Sequence, residues 1–132
     1  MAGNFPSNAN ILLLISDPLM RTILQETLER AGYLVVSAGD VGTAVDRVKE
    51  LRPDLLIVRP YVASMPGHMA AQYLRTRCPG LPVMIVTGFM EDHRIRDEHE
   101  LKEFFTFPKP FARDELLGNV REVLSIVHGK AR

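Results

Sequence analysis

The chain has 132 residues, and sixteen Lys and Arg balance sixteen Asp and Glu, so its formal net charge is zero. One domain of that length can bury roughly two-thirds of the surface its unfolded chain exposes, and two full domains do not fit. The charge balance argues against a strongly basic nucleic-acid binder, and 46% hydrophobic with 24% charged residues excludes a disordered chain. A single cysteine, Cys78, cannot form an internal disulfide, which fits a reducing compartment. Residues 1–10 carry no Lys or Arg, so the positive region of a secretory signal is missing there. The longest early apolar run has five residues, against the ~20 that a membrane span needs. A cytoplasmic setting without membrane or nucleic-acid contact is expected.

Residues 1–10 read as a flexible tail, with Gly3, Pro6 and small polar side chains. Ile11-Leu12-Leu13-Leu14-Ile15 is a wholly apolar run, the pattern of a strand buried on both faces. Asp17-Pro18 supplies an N-cap and a first-turn proline. Leu19, Met20, Ile23, Leu24, Leu28 and Ala31 then follow at helical spacing, and Gly32 stops that helix. Tyr33-Leu34-Val35-Val36 reads as a second strand. Asp40 can cap a second helix that presents Val41, Ala44, Val45 and Val48 and ends near Pro53.

Leu55-Leu56-Ile57-Val58 is a third buried strand that ends at Arg59-Pro60. A loop to Gly67 leads into a helix with Met69, Ala70, Tyr73 and Leu74. Val83 to Thr87 forms a fourth strand, followed by Gly88. The charged stretch 91–102 is read as a helix, Phe104-Phe105-Thr106-Phe107 as a fifth strand, and 114–128 as a last helix. The chain end, 128–132, reads as a short tail. The domain proper therefore spans 11–127.

Five strands alternating with five helices imply an α/β fold, a doubly wound five-stranded parallel sheet covered on both faces. In such a fold the site lies beyond the carboxyl ends of the strands. That directs attention to Ile15, Ser16, Asp17, Arg59, Thr87, Gly88 and Lys109.

Four pieces carry a family resemblance. They are Ile11-Leu12-Leu13-Leu14 leading to Asp17-Pro18-Leu19-Met20-Arg21, then Arg52-Pro53-Asp54-Leu55-Leu56-Ile57-Val58. Leu81-Pro82-Val83-Met84-Ile85-Val86-Thr87-Gly88 follows, and Lys109-Pro110-Phe111 precedes Asp114-Glu115-Leu116-Leu117. In this order and spacing the chain resembles the receiver domain of two-component response regulators over about residues 10–127. The resemblance implies a flavodoxin-like (βα)5 fold. It also implies a chemistry in which an aspartate at the end of the third strand accepts a phosphoryl group from a histidine kinase. An acidic pair after the first strand holds Mg²⁺, and a Thr or Ser after the fourth strand and a Lys after the fifth contact the phosphoryl oxygens. A hard cation takes carboxylate oxygens, and the growing phosphate charge takes donors and cations.

Several slots depart from that pattern. The acceptor slot falls on Arg59, a fixed cation with no oxygen nucleophile. The acidic-pair slots fall on Ile15 and Ser16, while Thr87 and Lys109 keep theirs. Two cations, Arg59 and Lys109, face one nearby acid, Asp17, so neither Mg²⁺ binding nor aspartyl phosphorylation is expected. Arg59 can pair with Asp17 or, together with Lys109 and Thr87, hold an anion. Asp54 is no substitute acceptor, since it precedes the third strand and lies ~16 Å from Arg59. The aromatic switch slot, three places before the lysine, holds Thr106, so the coupling that reports phosphorylation should be disabled or altered.

His68, His93, His99 and His128 show no metal spacing and are expected to face solvent. No catalytic motif appears, so an enzyme is not expected. The expectation is a pseudo-receiver that works by phosphorylation-independent contact with a sensor kinase or an effector. The last strand and its flanking helices are a candidate homodimer or partner surface. Two rival readings are an anion or nucleotide sensor built on Arg59, Lys109, Thr87 and Ser16, and a conventional phosphorylatable regulator that uses a displaced acid.

Overall fold

The computed structural model describes residues 9–86, 105–107 and 113–130. In chain order the strands and helices are β1 (Asn10–Leu14), α1 (Pro18–Arg30), β2 (Leu34–Ala38), α2 (Val41–Glu50) and β3 (Leu55–Val58). They continue with β4 (Tyr61–Val62), β5 (Met65–Pro66), α3 (Gly67–Arg75), β6 (Val83–Val86), β7 (Phe105–Phe107) and α4 (Arg113–Lys130). The main sheet runs β2-β1-β3-β6-β7, every neighbouring pair parallel. The helix expected over 91–102 lies outside the described residues, which contain four helices.

The apolar runs form strands because both of their faces are covered. Leu12, Leu14, Leu56, Val58, Val83 and Ile85 point into one core, under Ala44 and Val48 of α2 and Ala70 and Leu74 of α3. Ile11, Leu13, Leu55, Ile57, Met84 and Val86 point the other way, against Leu24 and Leu28 of α1 and Leu116, Val120, Val123 and Leu124 of α4. The alternation follows from the pleat, which sends successive side chains to opposite faces.

Local signals set the helix ends. Asp17 Oδ1 accepts the Leu19 N–H at 3.0 Å and Asp40 Oδ1 accepts the Thr43 N–H at 2.7 Å, each satisfying a free donor in a first turn. Gly32, at φ 102°, follows the end of α1 in the left-handed region that glycine reaches without a Cβ clash.

Several sequence expectations change. Ala9 is buried and Asn10 opens β1, so these last two residues of the stretch read as a flexible tail belong to the fold; residues 1–8 lie outside the described residues. At the other end α4 reaches Lys130, into the stretch read as a tail. The segment read as a loop before Gly67 holds an antiparallel pair, Tyr61 opposite Pro66 and Val62 opposite Met65. Two-residue strands are too short to show a period. His68 is half-buried rather than open to solvent. Leu19, Ile23, Met69 and Tyr73 belong to the apolar helical patterns, yet all four are exposed.

Candidate functional site

The strand order reverses at β1, which sends one connection to β2 on one side and the next to β3 on the other. A crevice opens beyond the carboxyl ends at such a switch point. Leu14 lies opposite Val58 in the β1–β3 register. Continuing one residue makes Ile15 and Arg59 neighbours at adjacent strand ends, about 5 Å apart across the sheet.

Ile15 is 1% exposed, and its N–H donates to the Ala38 carbonyl at 3.0 Å, which extends the β1–β2 ladder. Its own carbonyl accepts from Arg21 Nη1 at 2.7 Å. Gly39 leaves room for this guanidinium, since a Cβ there would come within 2.9 Å of Arg21 Nη1. Sequence reasoning missed this role of Arg21. Its only signal was a cation one turn into the helix that leaves the crevice.

Ser16 and Asp17 are exposed. The Ser16 hydroxyl oxygen accepts the Ala63 N–H at 3.3 Å, which ties the β1 end to the turn between β4 and β5. Ala63 has φ 56°, a left-handed conformation that costs a residue with a Cβ roughly 1–2 kcal/mol. The Asp17 carboxylate serves as the cap of α1.

Arg59 directly follows β3 and is half-buried. The Gly67 N–H donates to the Pro60 carbonyl at 2.6 Å, which closes the β4–β5 excursion at the start of α3. Any side chain at Gly67 would run into the Arg59 carbonyl oxygen, so this glycine permits the close return of the chain. Asp54, expected to be no substitute acceptor, precedes β3 at the opposite edge, where its Oδ2 accepts the Asn10 N–H at 2.8 Å.

Thus Ile15, Ser16, Asp17 and Arg59 gather at one edge of the sheet. Thr87, Gly88 and Lys109 lie outside the described residues. Thr106 sits mid-strand in β7, its backbone registered with Ile85 of β6.

A parallel α/β sheet with its crevice at the β1/β3 switch defines a flavodoxin-like receiver architecture. The model of the response regulator receiver domain matches residues 11–121, and the chain belongs to that family. It is 28% identical over 119 residues to sporulation initiation phosphotransferase F of Bacillus subtilis, covering 90% of this chain and 96% of that one. It is 30% identical over 115 residues to the response regulator MprA of Mycobacterium avium, covering 86% of this chain and 50% of the relative. The chain thus spans about half the length of several relatives it matches, including transcriptional regulators. Among solved structures, the signal receiver domain of an HD domain-containing protein from Pseudomonas fluorescens superimposes with a TM-score of 0.80 at 22% identity. That match covers 98% of this chain and 96% of the other and reports the fold. Among the described residues no helix is long and apolar enough to cross a membrane.

Proposed function

We propose that this chain is a pseudo-receiver, a member of the response regulator family that signals by protein contact without aspartyl phosphorylation. The observation that carries the reading is Arg59 directly after β3, where the family resemblance places the phosphoacceptor. A guanidinium cannot form an acyl phosphate, and its charge opposes a divalent cation.

The neighbours of Arg59 support the same reading. Mg²⁺ takes carboxylate oxygens, but Ile15 supplies a buried aliphatic side chain and Ser16 a neutral hydroxyl bonded to Ala63. The Asp17 carboxylate is engaged in capping α1. No group of three His, Cys, Asp or Glu suited to a metal occurs among the described residues. The donor set described there does not fit Mg²⁺, and the function needs no step through it.

Output then comes through a docked partner, a sensor kinase or an effector, held in one conformational state. Incubation with acetyl phosphate and Mg²⁺, followed by intact-mass measurement, should show no added phosphoryl group. A stable phosphoryl adduct mapped to this chain would overturn the proposal.

A further inference from the structure

The helices α2 and α3 each connect parallel strands and lie over the same core, so they run in the same direction and end at the same edge of the sheet. Between them lies an open groove of about 760 Å³, whose walls include Val41, Val45, Met65, Met69, Tyr73 and Thr76. None of its lining residues is charged. Met65, Met69 and Tyr73 are 38%, 51% and 45% exposed, an unusual concentration of large apolar side chains on one surface.

The groove has a polarity. Val41 and Val45 stack at i and i+4 on α2, and the next residue in that row is the exposed Lys49. Met69 and Tyr73 stack likewise on α3, and four residues on, just past the helix, comes the exposed Arg77. Both apolar rows therefore end in a cation at the same edge. The Arg77 guanidinium lies 5.4 Å from the Tyr73 ring centroid, and Nη2 donates to Tyr73 Oη at 3.0 Å, which fixes the ring as a wall. Of the two acids on α2, Glu50 is paired with Arg47 at 3.7 Å and Asp46, exposed, stands three residues before Lys49. The opposite end holds Asp40, whose carboxylate caps α2.

We propose that this groove docks an amphipathic helix of a partner protein, one whose apolar stripe is followed by carboxylates that meet Lys49 and Arg77. A cleft between two parallel helices accepts a third helix by ridge-into-groove packing, and from Val41 to Lys49 it offers about 12 Å of length. Methionine walls adapt to varied apolar side chains. A second copy meeting this one groove to groove is a poorer occupant, because it would set one concave surface against another. The inference does not depend on the chemistry at Arg59, since its residues lie on other elements and binding is read without phosphorylation.

The test is a displayed library of amphipathic helices, with apolar and terminal positions randomised, selected on the full chain. Enriched helices should carry Asp or Glu beyond one end of the apolar stripe. A synthetic winner should bind at least roughly tenfold more weakly to Met69→Glu. The Lys49→Glu/Arg77→Glu double variant should turn the preference toward Lys-ended helices, an outcome independent of how Met69→Glu folds. Winners without acidic bias, no enrichment at all, or equal binding to the parent and both variants would overturn the proposal. So would a concentration-dependent dimer in sedimentation that excludes the peptide.

Discussion

The hydroxyl oxygen of Ser16 accepts the N–H of Ala63 at 3.3 Å, joining residues 47 apart in sequence. This bond fastens the end of β1 to a turn that holds a left-handed alanine. Removing it with Ser16→Ala should lower stability by only about 0.5 kcal/mol, because the bond is exposed and water replaces the lost partner. The Ala63 amide should nevertheless exchange faster with deuterium. Amide exchange and a urea titration together check both parts.

Two glycines should respond in opposite directions to alanine. At Gly67 the added Cβ meets the Arg59 carbonyl, so β3 or the start of α3 must move, at about 2–3 kcal/mol. At Gly118, inside α4, nothing lies within 4 Å of an added Cβ. There alanine should stabilise by about 0.5–1 kcal/mol through helix propensity and reduced unfolded-state entropy. Thermal melts of Gly67→Ala and Gly118→Ala measure the contrast.

Arg21→Met should cost about 1–2 kcal/mol. It leaves the Ile15 carbonyl without the charged donor now at 2.7 Å, in a partly buried position. Gly39→Ala should cost less, because its new methyl presses on the far end of a flexible side chain. Chemical denaturation of the two variants tests the ordering.

Stability should fall at both ends of the pH range. The Thr43 backbone N–H, bonded to the Asp40 carboxylate, holds its pKa below the ordinary value of 3.8. Asp40 therefore stabilises the fold above that value, and the contribution disappears as pH falls through the lower folded value. Burial raises the Tyr33 pKa above 10.0, against an opposing pull from Arg121. Its contribution is present below pH 10.0 and is lost as pH rises through the folded value. Melts of Asp40→Ala and the parent should converge at low pH, whereas Tyr33→Phe, which has no ionised form to desolvate, should keep its stability above pH 10.0 where the parent loses it.

Most of the fold was legible because β3, β6 and all of β1 after Asn10 are short apolar runs, and because Asp17-Pro18 and Gly32 punctuate α1. The β4–β5 hairpin was not legible, since Tyr61-Val62 and Met65-Pro66 are too brief to display alternation. The Arg21 contact was hidden as well, because it depends on how α1 folds back across the end of its own strand. Helical spacing also could not tell Leu24 from Ile23, which are 1% and 49% exposed. Each fits an apolar pattern, and only packing against the sheet selects which one is buried.

The sequence by itself determined the class of fold and the chemical character of the crevice. Apolar runs demand two covered faces, and a side chain such as Arg59 brings its charge wherever the chain puts it. Tertiary structure alone decided who meets whom. Ser16 reaches Ala63, Gly67 yields to the Arg59 carbonyl, and the rows of α2 and α3 face each other across a groove. Those contacts follow from crossovers that bring distant segments to one edge, a geometry that no local pattern of residues encodes.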